Sequence, residues 1–70
     1  MIRNRLRAAR EARYMTQADL ADALNVSRQT VISLEQGRYM PSLDLALKLA
    51  RHFGQSVESL FELSDADKPD

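Results

Sequence analysis

The run Gln17 to Glu35, QADLADALNVSRQTVISLE, constrains this chain most. Leu20, Ala21 and Leu24 stand at i, i+1 and i+4, one face of a helix. Val31 and Leu34 stand at i and i+3, one face of a second. Between them lies Asn25-Val26-Ser27. Asn is one of the few residues that tolerate a left-handed backbone, which a sharp inter-helix turn often needs. Val26 can plug the space between the helices, and Ser27 is a good N-cap for the second. The small side chain of Ala21 lets the two helices cross closely.

Two short helices joined by so tight a turn form the pattern of a helix-turn-helix, whose second helix lies in the DNA major groove. Arg28 and Gln29 occupy the first turn of that helix, where side chains reach base edges. Arg can bond guanine bidentately and Gln can bond adenine; the plain alternative is a solvated helix start. Ser33 lies one turn on from Gln29, with Ile32 beside it. Ile32 has two outlets, a thymine methyl group or packing against the loop at 38–41. Phosphate contacts are expected from Gln17, in the first turn of the first helix of the motif, where the helix start attracts an anion. Arg38 and Tyr39 follow the second helix and can clamp the flanking backbone. Thr30 can do the same or bond back within its own helix.

Seventy residues make one domain with one small core. There are no cysteines, so neither disulfides nor thiolate metal sites can support it. Helix packing or oligomerisation must do so. No apolar run approaches the ~20 residues of a membrane span, and the N-terminal arginines precede no apolar stretch of a signal peptide. A soluble cytoplasmic protein without membrane partners is expected. Net charge is zero, yet residues 1–40 hold seven Arg against four acids, a surplus of three positive charges. Residues 41–70 hold three bases against six acids, a surplus of three negative charges. The basic half contains the helix-turn-helix. Arg3, Arg5, Arg7 and Arg13 read either as part of that field or as the solvated face of a first helix.

Ile2 to Ala12 is a candidate first segment, with Leu6 and Ala9 as apolar anchors. Thr16 and Asp19 resemble a capping box with Asp in place of Glu. Gly37 stands where a C-cap glycine is expected. Residues 38–41 form a loop. Ser42 caps a fourth helix that runs to about Phe53, and Asp44 favours its positive end. Gly54 ends it and Ser56 caps a short fifth helix. The fourth helix carries apolar residues over more than half its circumference, which suits a central helix or one with a face left for a partner. The tail from Ser64 to Asp70 is acidic and expected to fray. Val57, Leu60, Phe61 and Leu63 put four apolar side chains into seven residues. One small core is not expected to bury them all, so they are read as a dimer interface.

TQADLADALNVSRQTVISLEQGRYMPSLDLALKLARHF resembles the Cro/C1-type (XRE) family of helix-turn-helix regulators. The marks are the opening MIxNxL, VSRQT, E-x-G-x-Y-x-PSLxLALK-x-A and an ending with Leu-Phe. The likeness covers about residues 1–64, with the helix-turn-helix at about 17–36 and an acidic tail at 65–70. It implies an all-α, five-helix, lambda-repressor-like domain. In the small stand-alone subfamily it also implies a homodimer with a short two-stranded sheet, formed here by Arg3-Asn4-Arg5 and Phe61 to Leu63. It places Arg28 and Gln29 at base-contacting positions. It pairs Arg10 with Glu35 inside the domain, joining the first helix to the end of the third. Two positions depart from the pattern. Tyr14-Met15 replaces Gly or Lys followed by Leu or Ile, and Asn25 replaces the turn glycine. Met15 can fill the same apolar site, and Tyr14 is expected in an exposed loop.

His52 is alone, without a second His, a Cys or matching carboxylates, so no metal ligand set and no catalytic group is expected. No glycine-rich phosphate loop or nucleophile motif is present, and no cofactor is expected. The reading is a sequence-specific regulator of double-stranded DNA, acting as a repressor on an inverted-repeat operator. A toxin–antitoxin antitoxin and a helical protein-interaction module without DNA binding are the alternatives. A regulatory partner protein, of unknown identity, is the expected source of control.

Overall fold

The computed structural model describes residues 2–63, with the Ile2 side chain excepted. The acidic tail expected to fray therefore lies outside the described residues. The elements run β1 (Ile2–Asn4), α1 (Leu6–Ala12), α2 (Gln17–Leu24), α3 (Arg28–Glu35), α4 (Leu43–Phe53), α5 (Val57–Leu60) and β2 (Phe61–Leu63). Among the described residues these are five helices and a two-stranded antiparallel sheet. The strands pair Ile2 with Leu63, Arg3 with Glu62 and Asn4 with Phe61.

Local chemistry sets most boundaries. Thr16 and Asp19 form a reciprocal capping box: Asp19 N–H donates to Thr16 Oγ1 at 3.0 Å, and Thr16 N–H donates to Asp19 Oδ2 at 2.8 Å. Ser27, Ser42 and Ser56 cap α3, α4 and α5, each hydroxyl accepting from the backbone N–H three residues on. Asn25 ends α2 in the left-handed region at φ 58°, as the turn between the helices requires. Gly54 does the same for α4 at φ 63°.

The N-terminal segment differs from the sequence-based expectation. Within the segment Ile2 to Ala12 the helix starts only at Leu6, because the preceding residues pair with β2. The strand is Ile2–Asn4 rather than residues 3–5. Arg5 leaves it to become the N-cap residue of α1, its N–H donating to Leu60 O at 2.8 Å. Arg3 thus sits on a strand and not on a helix face. Asn4 serves as the joint: its Nδ2 donates to Leu34 O at 2.8 Å, and its Oδ1 accepts from Leu6 N–H at 3.2 Å. One side chain so links β1, the start of α1 and the last turn of α3.

Leu6, Leu20, Leu24, Val31, Leu34, Leu45, Leu49, Phe53 and Leu60 form a continuous buried core, completed by Ala21 at the α2–α3 crossing. Leu60 corrects the interface expectation. It is 0% exposed within its own domain, where it belongs to the buried core and α5 packs on α4, so its side chain is not left for a second copy. Phe61 is half-buried against the same core, Val57 is half-buried, and Leu63 is exposed. Among the described residues no buried side-chain nitrogen or oxygen lacks a hydrogen-bond partner. No helix there is long and apolar enough to cross a membrane, and no group of three or more potential metal ligands is assembled.

Candidate nucleic-acid interface

At 100° per residue, Val31 and Leu34 point one side of α3 into the core. Arg28, Gln29, Ile32 and Ser33 fall on the opposite side. Arg28 and Gln29 are exposed; Ile32 and Ser33 are half-buried. Gln29 Nε2 reaches Ser33 Oγ at 3.5 Å, so these two side chains lie along one edge of the helix. Gln29, Thr30, Ser33 and Tyr39 line a shallow depression on that edge. Arg28 and Ile32 line the other edge, a groove shared with Thr16, Gln17 and the flanking Arg7. Ile32 therefore borders the start of α2, and the pocket at the loop 38–41 is lined by other residues, Met40 and Phe61 among them.

The residues expected at phosphates bracket this face. Gln17 stands in the first turn of α2, where backbone N–H groups outside the capping box lack intrahelical acceptors and the helix dipole favours an anion. Its Nε2 donates to Glu35 Oε1 at 3.2 Å. Arg38 and Tyr39 are exposed beyond the end of α3, past the left-handed Gly37 at φ 71°. Thr30 takes a third course besides those expected. Its hydroxyl lies 2.9 Å from the Ser27 hydroxyl, so it supports the cap of α3.

Several arginines are engaged within the domain. Arg5 pairs with Glu62 at 3.2 Å and donates to Ser59 O. Arg7 pairs with Glu11 at 2.8 Å. Arg13 donates to His52 O at 2.9 Å and lies over the Phe53 ring, 5.5 Å from its centroid. Arg10 forms a fork with Glu35: Nε to Oε2 at 2.6 Å and Nη2 to Oε1 at 3.1 Å. The Glu35 hydrogen bond holds the Arg10 guanidinium above its ordinary range. Arg28 and Arg38, one at each end of α3, carry no ion pair among the described residues. Two positive charges without an ion pair thus stand at the ends of the presented helix.

The outward residues of α4 and of the loop before it are not distinguishable from the sequence pattern alone. Met40, Leu43 and Leu47 are exposed. The excess of apolar residues on α4 was the signal; only the packing shows which side they occupy. His52 is half-buried, its Nε2 3.5 Å from Met15 Sδ and its ring edge-on to Phe53, a packing role.

A helix-turn-helix family model matches residues 6–60. An uncharacterized HTH-type transcriptional regulator of Methanocaldococcus jannaschii is 47% identical over 64 residues, covering 91% of this chain and 97% of that one. The immunity repressor protein of Bacillus phage phi105 is 36% identical over 56 residues, 80% of this chain and 39% of the phage protein. A crystal structure from Bacteroides fragilis, provisionally assigned as a DNA-binding protein, superposes with a TM-score of 0.78 over 89% of this chain and 100% of its own; at 24% identity it bears on the fold alone. The protein belongs to the Cro/C1-type (XRE) helix-turn-helix family of DNA-binding transcription regulators.

Proposed function

We propose that this protein is a cytoplasmic, sequence-specific repressor that binds an inverted-repeat operator in double-stranded DNA as a homodimer. The observation that carries the reading is the outward face of α3, where Arg28, Gln29, Ile32 and Ser33 stand opposite the core and Gln17 and Tyr39 flank them. Arg28 and Gln29 read base edges, with Ser33 beside them and Ile32 offered to a thymine methyl. Gln17, Arg38 and Tyr39 hold the backbone on either side, with Thr30 behind them. Repression follows from occupying promoter DNA, and the phage relative named as a repressor supports that sign of regulation.

The homodimer draws support from exposed apolar surface, which includes Met40, Leu43, Leu47 and Leu63. Val57 and Phe61, half-buried in one copy, lie in the same C-terminal region; Leu60 takes no part. A two-fold arrangement sets two recognition helices about one helical turn apart, so half-sites should lie ~10 base pairs apart centre to centre. Selection of bound sequences from random duplex DNA tests the reading. An inverted repeat of that spacing is the expected result. With the selected operator, Arg28→Ala or Gln29→Ala should cost roughly 1–3 kcal/mol and relax preference at one base pair. Arg38→Ala should weaken all sequences alike and flatten the salt dependence. No enriched sequence, or variants that bind like the wild type, would remove α3 as the reading helix.

A further inference from the structure

The side-chain amide of Gln17 is not at liberty to turn. Its Nε2 donates to Glu35 Oε1 at 3.2 Å, and that carboxylate is itself gripped by Arg10 at 2.6 and 3.1 Å. Arg10 is anchored in turn, its Nη1 donating to Met15 O at 2.9 Å, one residue before the cap of α2. Arg10 and Glu35 are nearly closed off from solvent, with side chains 11% and 5% exposed. An ionised carboxylate only accepts hydrogen bonds. It therefore decides which end of the Gln17 amide faces it: the NH2 group, never the carbonyl oxygen. One N–H is spent on Glu35, and the second diverges from it in the amide plane.

We infer that Glu35 is a positioning residue for the DNA backbone, fixing the Gln17 amide so that a donor is presented in the groove between α2 and α3. The inference rests on Gln17 meeting a phosphate. Arg10 completes the device. A bare carboxylate next to a phosphate would repel it, and the guanidinium fork cancels that charge at its source. The same groove is lined by Arg7, Thr16 and Arg28, so the presented N–H adds direction where the surroundings supply positive potential. A free glutamine would have to be immobilised on binding, at a cost in rotamer entropy; here the ordering is completed in folding.

The test is a double-mutant cycle of Gln17→Ala and Glu35→Gln, with affinity for the selected operator measured at one salt concentration on protein shown to be folded. Each single variant should weaken binding about three- to tenfold, the range of one hydrogen bond. Glu35→Gln can donate as well as accept and so no longer sets the amide. The double variant should then bind about as the Gln17→Ala variant does. A Glu35→Gln loss of the same factor with or without Gln17 would show that Glu35 acts through the fold alone, and the inference would fall while the phosphate contact stood. Unchanged affinity in Gln17→Ala would remove both, leaving the reading of α3 to the Arg28 and Gln29 variants. NMR of the wild-type protein without DNA gives a reading independent of whether Glu35→Gln folds. One Gln17 Nε2 proton should be displaced and protected from exchange. Two solvent-like, equally labile protons would overturn the proposal.

Discussion

Arg10 and Glu35 meet in a two-pronged fork, 2.6 and 3.1 Å, that bolts α1 to the last turn of α3. The residues are 25 apart in the chain, and their contact lies almost out of water. Such a pair adds little over a well-packed apolar substitute, because both ions lose hydration. Removing one partner is another matter, since the other remains as an uncompensated buried charge. Glu35→Ala should lower stability by about 3–5 kcal/mol, which a domain of this size scarcely tolerates. Thermal melts of Glu35→Ala and Arg10→Met, Glu35→Leu together check this. The single variant should melt far lower and the apolar pair should recover much of the loss. A Glu35→Ala melt within a degree or two of wild type would contradict the buried pair.

The capping box of α2 makes stability depend on acid. Asp19 accepts from Thr16 N–H, which with the Thr16 hydroxyl holds its carboxyl below the ordinary carboxylate range. A group with a depressed folded-state pKa contributes stability that is fully present above its unfolded value, about 3.9 for Asp. That contribution is lost as pH falls through the lower folded value. Melting temperatures followed from pH 5 downward should therefore drop less steeply in Asp19→Asn than in wild type. Parallel curves would show that the carboxylate adds nothing to the cap.

Tyr14 occupies the left-handed region at φ 56° and is 96% exposed. A bulky L-residue there costs roughly 1–2 kcal/mol, and so exposed a ring can recover little of it by packing. Glycine removes that strain but returns part of the gain through a more flexible unfolded chain, roughly 0.5–1 kcal/mol. Tyr14→Gly should thus raise stability by about 0.5–1 kcal/mol, seen as a melting point a few degrees higher. A lower melting point would mean that the ring stabilises the folded state after all.

The helix-turn-helix was legible because its determinants are local. Ala21 at the crossing, Asn25 in the turn, and the caps at Thr16, Ser27, Ser42 and Ser56 each act within a few residues of their own position. The termini were legible only by resemblance. β1 is three residues long and its apolar alternation is too short to register; it exists because Phe61–Leu63 runs beside it. The same non-local cause sets the start of α1 and makes Arg5 its N-cap residue. The site residues on α3 followed from helix period and the positions of Val31 and Leu34. That the Gln17 amide and the Thr30 hydroxyl already have partners was not legible, because Glu35 meets Gln17 only when α3 packs on α2.

The fate of Leu60 separates the dimer from the monomer core, and so supplies the last test. Leu60 is buried in one copy, whereas Leu43 and Leu47 are 72% and 54% exposed, one turn apart on α4. Leu60→Ala should destabilise the domain by about 2–5 kcal/mol through the cavity it leaves. Any loss of self-association in that variant should only track its unfolding. Val57→Asp, on the partly exposed flank of α5, should leave the domain folded and make it monomeric. For the wild type, sedimentation equilibrium at tens of micromolar should give a dimer, and melting temperature should rise with protein concentration. The operator affinity of Val57→Asp should then fall on the full inverted repeat but not on an isolated half-site. A wild-type monomer whose melting point is independent of concentration would rule out the dimer while leaving the recognition face intact. A dimer that survives Val57→Asp but dissociates with Leu43→Glu or Leu47→Glu would move the interface from α5 to the outer face of α4.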